Sequence, residues 1–429
     1  MKKISLLINF TFLFVSLVLG QNNNFYYENA VYNENIKTVL MYREGFELSN
    51  PVLTLHEDTR LIFKFDDLSA DVKNYYYTII HCDADWNESF LVQEDYLDGY
   101  VENQIRDYKL SFNTTFDYVN YQLTIPNEDV QIKLSGNYAL LVYEDADKEK
   151  IIISQRFYVV EPLTDIVGTV RRARQDAFKG ENQEIDFSVY HKNMEIINAR
   201  DEIKVVIMQN NRWDNAIRDL KPQYIKKGEL VYGYNRENVF EAGNEFRYFD
   251  IRTNRIPGEN VLSTDFFRPY YHKTLMPGEV RANKKFFAYK EMNGKYVIES
   301  QDPEIQDFDT ECDYVFTHFS LKLESILLGG SVNVFGALTG WNANKSNEMT
   351  WNFDTSQYEL TLLLKQGYYN FQYVYVPQGS PIADDKNIEG SFWETENDYQ
   401  IFVYYKAPAG RFDRLVGYRI LNSVENRTK

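Results

Sequence analysis

The sequence predicts an all-β chain of three consecutive β-sandwich domains behind an N-terminal export segment. Aromatic residues make up 16 % of the chain, with 34 Tyr and 29 Phe, and they recur at every second position, as in Tyr369, Phe371, Tyr373 and Tyr375. Apolar runs of the same period, among them Leu61-Phe63-Phe65, Ile203-Val205-Ile207 and Val332-Val334, are divided by polar, turn-rich breaks. Period two places alternate side chains on opposite faces, which suits a strand with one buried face. Helical patterning is confined to short pieces such as Trp213 to Leu220, so a sandwich architecture is the economical reading.

The elements follow in chain order. Met1-Lys2-Lys3, an apolar run to Leu19 and the small residues Val18 and Gly20 read as a signal peptide over residues 1–20. The apolar block is shorter than the ~20 residues a membrane span needs. Gln21 stands where a lipoprotein would carry its anchoring Cys, so a soluble exported product is expected. An N-terminal sandwich is expected over 32–161. It ends in a hairpin, Tyr138 to Tyr143 and Ile151 to Val160 around an acidic turn at Glu144 to Lys148, and is closed by Pro162. A middle sandwich is expected over 162–300, running out in Pro-Gly punctuation and a connector hairpin. Asn293-Gly294 supplies the tight turn of that hairpin, between Lys285–Glu291 and Lys295–Glu299. The C-terminal sandwich is expected over 301–423.

With 63 acidic against 46 basic residues the net charge is -17. That field repels nucleic acid and anionic lipid surfaces. No later stretch is apolar enough to cross a bilayer, so any membrane association is expected to run through a protein partner rather than by direct insertion. Cys82 and Cys312 fall in different predicted domains; an exported chain can bridge such a pair, but two buried free thiols are the preferred reading.

No catalytic, cofactor or metal residue is assigned. The five histidines, His56, His81, His191, His272 and His318, are scattered over all three domains, so a histidine metal cluster is not indicated. The common hydrolase, metalloprotease and phosphate-loop signatures are missing, so no enzyme activity is expected. Asp83, Asp85, Asn87, Ser89 and Glu94 fall at positions one, three, five, seven and twelve of a calcium-loop pattern, but Glu88 replaces the turn glycine and a strand precedes them. Their plainer role is capping a turn. Trp341 is a candidate sugar-stacking ring, with packing over the sandwich edge as the favoured alternative.

Four long strings carry a resemblance. They are Tyr77 to Trp86 leading into Asp95 to Tyr100, Asp107 to Thr115, Val206 to Ala216, and Arg411 to Tyr418. Together they resemble the plug protein family of the type IX secretion system of Bacteroidota. The segment Val332 to Asn342, with Trp351 and Gly367 to Tyr369, is similar to the early-set sandwiches that include glycogen-binding modules, so the fold class becomes three immunoglobulin-like/early-set sandwiches. The plug resemblance implies a periplasmic protein at the inner side of the outer membrane, a monomer within a hetero-complex. Such a protein binds a very large outer-membrane β-barrel translocon and closes its periplasmic opening by bulk. Trp86 and Trp213 are expected as core anchors, and exposed Tyr and Phe clusters as contacts, although the interaction surface stays unassigned. The alternative is an exported carbohydrate-binding β-sandwich protein.

Overall fold

Period-two patterning becomes strand along the whole chain. The computed structural model describes residues 27–427, apart from 176–178, 193 and 234–235, and the expected signal peptide over 1–20 lies outside the described residues. Strand accounts for 48 % and helix for 5 %, so the chain is all-β, built of sandwiches.

The first sandwich faces two sheets. One runs Ala30–Val31, Ile151–Val160, Gly136–Glu144, Tyr75–Cys82, Asn103–Gln104, with Val52–Thr54 parallel to Ile151–Val160. The other runs Ile36–Arg43, Leu61–Asp67, Val119–Ile125, Asp107–Leu110. Phe63, Phe65, Tyr77, Tyr121, Tyr138, Leu140 and Phe157 fill the space between them. Phe65 and Tyr121 stack at 5.1 Å while Tyr75 meets both edge-on, geometries that suit the ring quadrupoles. Gly136–Glu144 and Ile151–Val160 pair antiparallel, forming the hairpin the acidic turn predicts.

The second sandwich departs from the expected chain order. Its outer sheet runs Asp165–Arg172, Asn182–Tyr190, Glu229–Tyr232, Tyr224–Lys226. Its inner sheet pairs Arg212–Ile217 and Ile203–Gln209 with Asp398–Tyr405 and Arg414–Asn422. The last two strands therefore leave the expected 301–423 domain and complete the middle one. Ile203, Val205 and Ile207 point into this core beside Tyr399, Ile401 and Val403. The third sandwich is thus an insertion, with its core between Phe249 and Ile388 rather than after 301. One sheet centres on Gly367–Pro377, and the other runs Val261–Phe267, Tyr270–Leu275, Tyr314–Lys322, Gln357–Lys365, Thr350–Asn352.

Two local expectations are also corrected. The connector does not form a hairpin: only Tyr296–Ile298 is a strand, and it pairs with Gly367–Pro377. The turn at Asn293-Gly294 exists, with φ of 49° and 78°, but Tyr289 donates its hydroxyl to the Phe246 carbonyl, and the segment before the turn packs without pairing. A side chain at Gly294 would meet Phe246 and Trp341 at 2.5 Å. The segment Trp213 to Leu220 is not helical, since Arg212–Ile217 is extended and pairs with Ile203–Gln209.

Cross-domain contacts are themselves cores. The back of the first sandwich, with Trp86, Ala139, Leu141 and Tyr158, packs on Val206, Met208, Phe402, Tyr404 and Leu415 of the second. Arg156 lies over the rings of Trp86 at 4.2 Å and Trp213 at 5.0 Å. Between the first and third sandwiches, Asp66 and Lys365 form an ion pair at 2.7 Å with both side chains 1 % exposed. Asp66 also accepts hydrogen bonds from Tyr314 and Asn120, and Lys365 donates to the Asp309 carbonyl.

Because the Lys365 ammonium finds its only carboxylate among the described residues across the interface in Asp66, Asp66→Ala should strand a buried charge and lower stability by about 3–5 kcal/mol. Asp66→Leu with Lys365→Met should recover most of that loss. Urea unfolding followed by circular dichroism reads both values; a single variant within about 0.5 kcal/mol of the parent contradicts the assignment.

Candidate functional site

The acidic loop at Asp83 is a turn. Asp83 Oδ1 accepts the backbone N–H groups of Asp85 and Asn87, each at 2.9 Å. Asp85 pairs with Lys204 of the second sandwich at 3.1 Å, and Glu88 accepts the Tyr27 hydroxyl. Ser89 donates its N–H to the His81 carbonyl, and Glu94 belongs to the short helix Gln93–Tyr96. These carboxylates hold the turn and dock two domains. Trp86, with φ of 66°, turns its ring inward against Trp213 at 5.8 Å, so both tryptophans are the expected anchors. Asn210 caps Asp398 and Asn397 across the sheet edge.

Cys82 and Cys312 are buried and unbridged. Burial pushes the Cys312 thiol up to about 12 and raises Cys82 as well, which removes the thiolate that nucleophilic chemistry needs. Trp341 lies edge-on to Phe246 at 5.9 Å and to Phe335 at 5.7 Å. That ring is packed over the sandwich edge, as the favoured alternative has it. Glu241, Asp384 and Asp385 converge where the second and third sandwiches meet, but Arg212 lies 3.9 Å from Asp385 and Lys386 3.5 Å from Glu241, so two of the three carboxylates already face cations.

A different region stands out once strands are placed in register. An outward sheet face is ordinarily polar. Here the outer face of the third sandwich carries an aromatic strip. Tyr270 stacks on Phe116 of the first sandwich at 4.1 Å, Phe316 meets Tyr270 edge-on at 5.7 Å, and His272 stacks on Phe316 at 4.9 Å. Phe267 covers His272 at 5.1 Å and is itself 64 % exposed at the hairpin tip, beside exposed Phe266 and Arg268. Phe112, 70 % exposed, precedes Phe116 on the same loop. Exposed aromatics on a rigid element favour a protein interface, because they bring large area at small entropic cost.

Two histidines that looked unrelated in sequence meet on this strip. His272 Nδ1 and His318 Nε2 are 2.9 Å apart, and His318 Nδ1 is 2.9 Å from the Thr361 hydroxyl. Their strands run parallel, with Thr274 opposite His318 and Phe316 opposite His272. Burial and the neighbouring His272 hold the His318 imidazole below its ordinary value. The alternation of Tyr270, His272 and Thr274 and of Phe316, His318 and Ser320 could have put each histidine on an outward face, but only register brings them together.

The family model described as "Type 9 secretion system plug protein 1st domain" matches residues 36–161, which is the first sandwich. A hypothetical protein from Parabacteroides merdae ATCC 43184, known from a crystal structure at 2.30 Å, is similar over 92 % of this chain and 99 % of its own. Its identity is 36 % and its TM-score 0.89. Dimeric latent PorU from Porphyromonas gingivalis aligns over 90 % of this chain and 34 % of its own at 10 % identity, with a TM-score of 0.15 that carries no argument. No curated protein matches.

Electrostatics at the domain junction supply a test. Burial raises Glu245 to about 7 and Glu291 to about 8, each from 4.5, and Glu245 Oε2 has no hydrogen-bond partner among the described residues. Folded pKa values above the unfolded ones mean that the folded chain binds more protons between about pH 4.5 and 8. These two groups therefore stabilise fully below that window, and their contribution is lost as pH rises through it. Glu245→Gln should gain stability relative to the parent as pH rises from 5 to 8, with little difference at pH 5. Calorimetric Tm values at both pH values read this; a difference that does not grow with pH contradicts the burial argument.

Proposed function

The chain belongs to the plug family of the type IX secretion system, and from that membership we propose that it is a non-enzymatic periplasmic subunit that docks on a large outer-membrane translocon barrel and closes its periplasmic opening. The observation that carries the reading is the family match over the first sandwich, joined to a chain whose domains are locked by shared cores. A barrel wide enough for folded cargo holds an aqueous lumen unless something fills it. A body that occludes by bulk must not bend under diffusing solute, and packed cores with buried ion pairs resist hinging. Among the described residues no helix is long and apolar enough to cross a membrane, so attachment through a protein surface fits the chain. We assign that contact to the aromatic strip around Phe116, Phe267 and Tyr270.

Removal of the gene should make the outer membrane leak to large dyes or antibiotics, with entry depending on solute size and little on charge, since an open water-filled lumen discriminates by width. Removing the barrel as well should restore exclusion. Equal permeability in parental, single-deletion and double-deletion strains contradicts a plug role. Restoring the chain as Phe266→Ser with Phe267→Ser should leave its stability within about 0.5 kcal/mol, as for other exposed substitutions, yet fail to restore full exclusion. Full restoration moves the contact elsewhere.

A further inference from the structure

We propose that His272 and His318 form a two-imidazole chelating site for a late first-row transition-metal ion such as Zn²⁺ or Cu²⁺, with water completing the coordination. The site goes beyond the plug reading and stands without it. Two adjoining strands bring the donors together. His272 lies on Tyr270–Leu275 and His318 on the parallel strand Tyr314–Lys322, where Phe316 stands opposite His272. Side chains two residues apart on a strand share a face, so both imidazoles share the outward side of the sheet. The nitrogens are 2.9 Å apart. Two nitrogens bound at about 2.0–2.1 Å to a tetrahedral ion are about 3.3 Å apart, so accepting an ion asks the rings to part by a few tenths of an ångström.

Second partners favour the ligand form. Thr361 lies in register with His318 on the next strand, and its hydroxyl is 2.9 Å from Nδ1. When that hydroxyl accepts from Nδ1–H, the His318 lone pair is left on Nε2, facing His272. An outer partner that fixes the tautomer of a metal-bound histidine in this way is a general feature of such sites. His272 then presents Nδ1 by carrying its proton on Nε2, so two neutral imidazoles bind the ion without net proton transfer. Stacking on Phe316 and cover from Phe267 hold His272 in place. Imidazole nitrogens suit zinc or copper, whereas calcium and magnesium prefer all-oxygen shells.

The test uses the full mature chain without a histidine tag. Titration calorimetry with Zn²⁺ should give one site per chain, and neither Ca²⁺ nor Mg²⁺ should occupy it. His272→Gln and His318→Gln should each weaken binding by at least about 100-fold, and Thr361→Val by about tenfold, in line with loss of an outer partner. His56→Ala, on an exposed loop in the first sandwich, should leave it unchanged. Because His272 also packs on Phe316, electron paramagnetic resonance of the parental chain with one equivalent of Cu²⁺ gives a reading free of substitution. Hyperfine coupling to two imidazole nitrogens is expected. Absent zinc binding, undiminished binding in both glutamine variants, or a copper spectrum without two-nitrogen coupling each overturns the site.

Discussion

The sheet built from Tyr75–Cys82, Gly136–Glu144 and Ile151–Val160 is buried on both of its faces, and much of the architecture follows from that constraint. Of Gly136–Glu144, every residue but the last is buried. Tyr138, Leu140 and Val142 enter the core of the first sandwich, while Ala139 and Leu141 meet the second. A sheet packed on one side only could slide or swing over its neighbour; burial on both sides makes each sandwich part of the other's support. Arg156 completes the contact by lying over two tryptophan rings, where a planar guanidinium sets its charge against their π faces.

The third sandwich takes its position from charge as much as from apolar area. Asp66 and Lys365 come from different sandwiches, and neither keeps a polar partner in water. A buried pair of this kind specifies geometry, because any other docking leaves an unpaired charge. Its placement brings Phe116 onto Tyr270 and so completes the aromatic strip from two domains. The aromatic strip therefore depends on the interdomain register, whereas the histidine pair is set inside the third sandwich by the parallel pairing of Tyr270–Leu275 with Tyr314–Lys322. That dependence ties a surface property to interior packing.

Local pattern was legible in the sequence, whereas partner choice was not. Alternating aromatics in Tyr369 to Tyr375 and the acidic turn after Tyr143 fix strand and hairpin within a few residues. The Asp83 turn and the packing of Trp341 were also readable, since Asp caps turns and large rings bury. Which strand completes the middle core is a different question. Ile203–Gln209 pairs with Asp398–Tyr405 across nearly the whole insertion, and alternation in either strand fits many partners. The same gap hid the histidines, which are separated by an entire strand connection and meet only through a parallel register. Lys285–Glu291 reads as a strand by composition, yet tertiary packing leaves it unpaired.

Recovery of the chain with its partner from native envelopes tests the central claim most directly. Mild cross-linking, detergent extraction and affinity capture of the chain, followed by mass spectrometry of what stays bound, should return a very large outer-membrane β-barrel in near-equal amount. Capture of the chain alone after cross-linking, with the barrel intact in the same extract, would contradict the account.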